Sequence, residues 1–394
     1  MAIRYDWLTR IEDLVPLYPE WADLARRTEA EVFLTPDWFD VWWRGLAASR
    51  RLVCLVARDQ GRLVGLLPFA VERIWAGPLP LRLARFAGTD PHCMIFHLPL
   101  EPETAAEILR TAFVHLLGAV GCDAVSLTPV SALSDILPAV RAASDPSLAI
   151  LDLDDGVHTV FELPDSFEAH LSGMSKNRRS QFRRDRKQLT ERYAMTSAIH
   201  APDAADFERF IGFHNAQWRA VGKGGNFGDW PENASFYPVL AEKTKAIPLI
   251  RFHDLTGTTG LLASQFTVLS GKTVHWRLPA RTLDPEAEKL SVGKVSLIML
   301  IEDLIIAGVK RIEAGRGEYD YKVGLGATSA AVHRLILCRA SPLGRLRLRL
   351  LLAWADFLNL CYYRIWFLKL APRLRRATGL RPAPLWRSWI RTRI

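Results

Sequence analysis
The stretch whose reading decides the fold is "SVGKVSLIMLIEDLIIAGVKRIEAGRGEYDYKVGLG", residues 291–326. A glycine turn leads into a nearly all-apolar run that stops at Gly308, the pattern of a buried helix, and "VKRIEA" reads as the strand that closes its domain. A glycine just ahead of a helix leaves backbone N–H groups at the positive end of the helix dipole, where phosphate or pyrophosphate binds. Ser291 stands as the N-cap and Lys294 adds positive charge, although an ordinary capped turn fits the same residues. After the strand, Gly315 and Gly317 flank Arg316, and Glu313, Glu318, Asp320, Tyr321 and Lys322 crowd together. Such groups do general acid–base work where their surroundings raise a carboxylate pKa or lower that of a lysine or tyrosine. A solvated polar loop has the same composition.

Upstream, "IPLIRFHD", "TGLLASQFTVLS" and "KTVHWRLPA", linked by "LTGT" and "GK", predict an antiparallel three-strand meander. Before it come the strand "HTVFEL" (158–163), a basic helix, a second helix "DAADFERFIGFHNAQWRAVG" and a glycine-rich loop "KGGNFGDW" that either closes over a ligand or simply connects. In the first 155 residues, Thr35 as N-cap and Pro36 at the first helical position open a Trp-rich helix. A hairpin follows, "LVCLVA" and "LVGLLPFAV" joined by "RDQG", then the helix "TAAEILRTAFVHLLGAV" and the strand "DAVSLTPV". Both halves are α/β, and the hairpin in each hints at two versions of one unit.

The basic helix, "SKNRRSQFRRDRKQL", poses a choice between a nucleic-acid surface, a membrane surface and the rim of a site for an anionic ligand. Leu171, Met174, Arg178, Phe182 and Leu189 fall on one helical face, so Arg178 interrupts the apolar stripe and points inward toward a carboxylate or phosphate. The formal charge of +9 also bears on the choice. Residues 341–394 hold 12 Lys or Arg against Asp356, a sum of +11, which leaves −2 for residues 1–340. A nucleic-acid-binding body is expected to be basic itself, so DNA is not expected as a partner. The five cysteines are scattered and form no CxxC pair, which argues for a reducing compartment, and the histidines lack metal-ligand spacing, so no metal is expected. The N-terminus shows no apolar h-region, so no secretory signal is expected.

Together these motifs resemble the GNAT superfamily, specifically bacterial CelD/BcsL-like (BioF2-like) acetyltransferases related to the FemAB peptidyltransferases. The resemblance runs from about 33 to 335 and includes "TPDWFDVWW", "GRLVGLLPF", the basic helix and residues 291–326. In the last stretch Ser291, Gly293, Gly315, Gly317, Glu318, Tyr321 and Lys322 match the family pattern, while Val292 replaces a Pro, Glu313 an Asp and Leu325 a Trp. It implies tandem GNAT-like α/β domains with mixed, largely antiparallel sheets: a degenerate domain at 1–155, an acyltransferase domain at 156–340 and a basic amphipathic helical tail at 341–394. The implied reaction moves an acyl group, acetyl first among them, from acyl-CoA to an amine acceptor, in the setting of cell-envelope or exopolysaccharide biosynthesis. Pyrophosphate would rest on Ser291, Val292, Gly293 and Lys294, with pantetheine along the splayed edge of "HWRLPA". Glu313, Tyr321, Lys322 and His275 are the implied acid–base and charge-stabilising positions, and Arg178, Trp218 and Arg316 the substrate-binding ones. The resemblance also implies two other readings, a FemAB-like transferase that takes its donor from aminoacyl-tRNA and a non-catalytic scaffold at the inner membrane.

The run 350–368 has the length of a membrane span, but Asp356 and Arg364 interrupt it. Aromatics mixed with arginines suit a helix lying on an anionic membrane, and a helix docked on the protein's own core is the alternative. The expected location is cytoplasmic, peripheral at the inner face of a bacterial plasma membrane.

Overall fold
A computed structural model describes residues 3–47, 50–89, 93–221, 225–229 and 232–379. His92, parts of the glycine-rich loop and residues 380–394 of the tail therefore lie outside the described residues.

Contacts divide the chain into two units, residues 1–155 with 332–394, and residues 156–331. The sequence places a boundary at 155 but keeps 156–340 and 341–394 apart from the first part. In the structure, the strand and helix after residue 331 fold with the N-terminal residues.

In the first unit, β1 (Arg4–Leu8), β2 (Arg51–Asp59), β3 (Arg62–Ala76) and β4 (Leu79–Phe86) form an antiparallel run. The β2–β3 hairpin turns on Gln60 and Gly61, both at positive φ, as a tight two-residue turn requires. The helix Ala105–Leu117 then carries the chain to β5 (Ala124–Ser131), which pairs with β4 in parallel. Thr35 does precede the helix Pro36–Leu46, but its hydroxyl donates to the Val32 carbonyl and makes no side-chain cap.

From the first unit β6 (Leu148–Glu162) leads into the second, so the short strand read at 158–163 is the end of a longer one. The second unit continues with β7 (Thr196–His200), β8 (Ile250–Gly257), β9 (Gly260–Ser270), β10 (Thr273–Arg281) and β11 (Arg311–Arg316). The predicted meander is β8–β9–β10, and β7 joins it antiparallel at its outer edge. The buried helix Val292–Ile306 crosses from β10 to β11, which pair in parallel. Strand β11 does not close the sheet of its unit: β6 pairs antiparallel along its other edge, an arrangement that hydrophobic periodicity does not encode. Last comes β12 (Thr328–Arg339), which pairs antiparallel with β5.

The two units thus share one strand plan. The orders β1-β2-β3-β4-β5-β12 and β7-β8-β9-β10-β11-β6 both run through an antiparallel four-strand meander, a helical crossover to a parallel neighbour and an antiparallel final strand. In both, the final strand comes from a distant part of the sequence.

Candidate functional site
The second unit's parallel pair separates early. Strands β10 and β11 pair only over Thr273–His275 and Arg311–Glu313, after which β10 runs on to Arg281 with a bulge between Trp276 and Leu278. Further along β10, side chains of the helix Ala204–Ala220 take up the backbone: His214 bonds the Pro279 carbonyl at 3.0 Å, and the Arg281 N–H donates to Gln217 at 3.0 Å. Burial holds His214 well below its ordinary pKa, at about 4, against the opposing pull of the Pro279 carbonyl. The ring is therefore neutral, donates to Pro279 from Nδ1 and accepts the Asn226 N–H at Nε2. Trp276 to Leu278 remain at the mouth of a V between the strands.

At the base of the V, Glu313 is buried between two histidines. Its carboxylate accepts the Gly315 N–H at 2.9 Å and faces His158 Nδ1 at 3.3 Å and His275 Nδ1 at 3.8 Å, with all three side chains at most 4 % exposed. Burial by itself would raise its pKa, but hydrogen bonds and charge from His158 and His275 outweigh it and hold the carboxylate at about 2. Glu313 therefore stays ionised at neutral pH.

Lys322 fills the mouth of the V. Its ammonium donates to the carbonyl of Ala314, the first residue of β11 beyond the paired segment, and lies 5.7 Å from the centroid of the Trp276 ring and 4.9 Å from that of Tyr319. Burial lowers its pKa to about 8, with Glu313 pulling the other way. The Trp276 ring is fixed from behind, since its Nε1 donates to Gln265 at 2.8 Å and Gln265 donates to Ser296 on the buried helix at 2.9 Å.

A cavity of about 260 Å³ lies beside the start of the buried helix. Ser291 and Lys294 of that helix line it together with Arg178, Asp185, Asp320 and Tyr321. Tyr321 is kept a phenol, its pKa pushed up to about 12 by partial burial and by Tyr319. Ser291 holds the N-cap position in a left-handed conformation, φ 50°, and its hydroxyl makes no cap bond. Val292 is buried, and a side chain at Gly293 would meet the Arg281 stem at 3.1 Å.

The structure brings Arg178, Ser291, Lys294 and Tyr321 to one cavity, which Val292 and Gly293 do not line, and Glu313, His275 and Lys322 to one cluster. Trp218 does not line that cavity; it packs on Gly225 and His214 at the loop beyond its helix. Arg316 sits at the end of β11, opposite His158 in register. Instead of a carboxylate, the Arg178 guanidinium meets the Gly324 carbonyl at 2.9 Å and lies where a Cβ on that glycine would clash. Much of the remaining basic charge in the helix Lys176–Tyr193 staples local structure: Arg179 donates to the Leu171, Ser172 and Met174 carbonyls, Arg184 bonds Asp185, and Arg186 bonds Glu302 at 3.0 Å.

Three features lay outside the sequence reading. Asp185 carried a usable signal, because it falls three residues after Phe182 and four before Leu189, on the same buried stripe. His158 gave none, since it reaches Glu313 only through the β6–β11 pairing. The Gln265–Ser296 link likewise needs the fold. Among the described residues no cluster of His, Cys, Asp and Glu could hold a metal ion.

The first unit's V is closed by its own chain. Strands β4 and β5 also pair over only three positions, but Ile95 bridges to Val130 in parallel, and Ile95 and Ser131 exchange backbone bonds with Pro129 and Ile95. Its crossover helix follows Glu101, Glu103 and Thr104, an acidic approach that suits no phosphate.

Residues 176–323 match the family of acetyltransferase (GNAT) domains. No curated protein sequence matches the chain. A crystal structure of FemX resembles it at 8% identity with a TM-score of 0.59, over 80% of this chain and 95% of that one. The C-terminal domain of a putative lysylphosphatidylglycerol synthetase from Agrobacterium fabrum matches at 10% identity and a TM-score of 0.49, covering 84% and 93% of the two chains. A tandem GNAT protein from the clavulanic acid pathway matches at 13% identity and 0.44, covering 86% and 99%. The parted parallel pair lies within the stretch that matches the acetyltransferase family. Residues 176–323 thus match a GNAT acetyltransferase domain, and the chain shares the fold of FemX.

Proposed function
We propose that the protein transfers an acyl group, acetyl in the first instance, from acyl-CoA to a primary amine on a small molecule or on a sugar of an envelope or exported polysaccharide. The observation that carries this reading is the open V between β10 and β11 with Lys322 at its mouth. A thioester arm would enter the V and pair with the free segment of β10, while its pyrophosphate would take the start of the buried helix beside Ser291, Gly293 and Lys294.

The chemistry follows from the pKa directions. The amine nitrogen attacks the thioester carbonyl, the C–N bond forms, and backbone N–H groups at the parted strands donate hydrogen bonds to the developing oxyanion. As the C–S bond breaks, the thiolate takes a proton from Lys322, whose pKa of about 8 lies close to that of a thiol. The amine loses its extra proton to water. Glu313 holds His158 and His275 and supplies fixed negative charge near Lys322, and Tyr321 offers a hydrogen bond from the cavity wall. Arg178, Asp185 and Asp320 give that wall both signs of charge, suited to a polar acceptor.

An aminoacyl-tRNA donor would draw on the basic helix, but Arg179, Arg184 and Arg186 there are engaged within the protein. This observation favours acyl-CoA. Release of free thiol from acetyl-CoA and longer acyl-CoAs, measured against a panel of amines, tests the reading. Lys322→Met should lower kcat by roughly 100-fold or more, the usual scale for a lost general acid. Thiol release that requires no residue of the V, or none with any amine, speaks for the tRNA or scaffold alternatives.

A further inference from the structure
The C-terminal helix Pro342–Leu358 is apolar on two faces. Leu348, Leu351 and Ala355 are buried against Ile74, Leu81 and Leu83 of β3 and β4 and Ile336 of β12, so this part of the tail docks on the first unit. Leu343, Leu346, Leu350 and Phe357 recur at steps of three, four and seven and are 42–64 % exposed. At about 100° per residue, Leu350 stands roughly 160° around the helix from Leu348, nearly opposite the docked face. The following turns, Asn359–Leu370, extend the exposed surface with Leu360, Trp366 and Leu370.

The surroundings of this stripe are strongly basic. Arg345, Arg349, Arg364, Lys369 and Arg373 are exposed around it, and Asp356 is the single acid after residue 340. A water-facing helix has no use for a second apolar line, and soluble proteins rarely leave a contiguous one bare. No helix among the described residues is long and apolar enough to cross a membrane. A second copy is a poor occupant, because a two-fold contact would set these cations against themselves.

We propose that this face is an interfacial anchor that rests on an anionic lipid bilayer. Its leucines, Phe357 and Trp366 enter the boundary between headgroups and acyl chains, and its arginines meet lipid phosphates. Because the opposite face is part of the first unit's core, the anchor needs no helix to detach before it binds.

The test is co-sedimentation of the full chain with vesicles of phosphatidylcholine alone and with one-third phosphatidylglycerol. Binding to the anionic vesicles, little binding to the neutral ones and weakening with added salt are expected. Leu346→Glu with Leu350→Glu should cut the partitioning by about tenfold or more while the melting temperature changes little, since both side chains are about half exposed and neither is part of the docked face. If that variant misfolds, Arg345→Glu with Arg349→Glu probes the same surface and should abolish the preference for anionic lipid. Protein left in the supernatant with anionic vesicles overturns the proposal. So does a dimer in solution that the leucine variant converts to monomer, which would assign the face to a second copy.

Discussion

Burial gives the proposed proton donor Lys322 a pH dependence of definite sign. Its pKa falls from the usual 10.5 to about 8, so the proton needed by a leaving thiolate is lost as pH rises through 8, and turnover should decline there. Between about pH 8 and 10.5 the unfolded chain holds this proton and the folded one does not, so stability should rise with pH by up to roughly 3 kcal/mol. Both trends should vanish in Lys322→Met, as pH–rate and pH–melting profiles would reveal. Glu313 has the opposite sign. With its carboxylate held at about 2, its contribution is complete above the ordinary 4.5 and is lost as pH falls between those values. Glu313→Gln leaves two buried histidines without their anion, and urea denaturation at pH 7 should find it about 3–5 kcal/mol less stable; an unchanged midpoint would mean the histidines hold no charge against it. That Glu313 and Lys322 lie close together was legible because they stand within ten residues of each other. His158 was not, because its approach depends on where β6 pairs.

At the scale of elements, turns and apolar runs were the readable part. The β2–β3 hairpin and the β8–β9–β10 meander stand where glycine turns placed them, at Gly61 and Gly271. Strand neighbours distant in sequence were not readable, so β11 looked terminal and β12 went unnoticed. Cap positions were right in place and wrong in detail, since Thr35 and Ser291 precede their helices without capping them through the side chain. The C-terminal helix shows why one pattern can mislead: its two apolar faces merge in sequence into what looks like a single hydrophobic run. The two faces have separable energies. Leu351→Ala, fully buried, should cost about 2–5 kcal/mol, whereas Leu350→Ala, 42 % exposed, should stay within about 0.5 kcal/mol. Equal losses in thermal unfolding would refute the assignment of faces.

Across the whole molecule, one strand plan occurs twice with different outcomes. In the first unit Ile95 lies in the gap beside β5, and acidic residues precede the crossover helix. In the second, Lys322 lies in the gap, and the crossover begins Ser-Val-Gly-Lys. The resemblance to GNAT proteins put the acyltransferase domain in the second half, where residues 176–323 match the family model, and only the strand pairing exposes the difference between the gaps.

The most direct measurement is the melting temperature of the full chain with acetyl-CoA, longer acyl-CoAs and free CoA, for the native sequence and for Gly293→Trp. A ligand that binds the folded state at about a hundred times its Kd adds about 2.7 kcal/mol, a shift of several degrees for a unit of this size. The account predicts that shift with acyl-CoA and its loss in Gly293→Trp, where the indole would crowd Arg281 and fill the start of the buried helix. No shift with any CoA species, or an undiminished one in the variant, would contradict a donor site between β10 and β11.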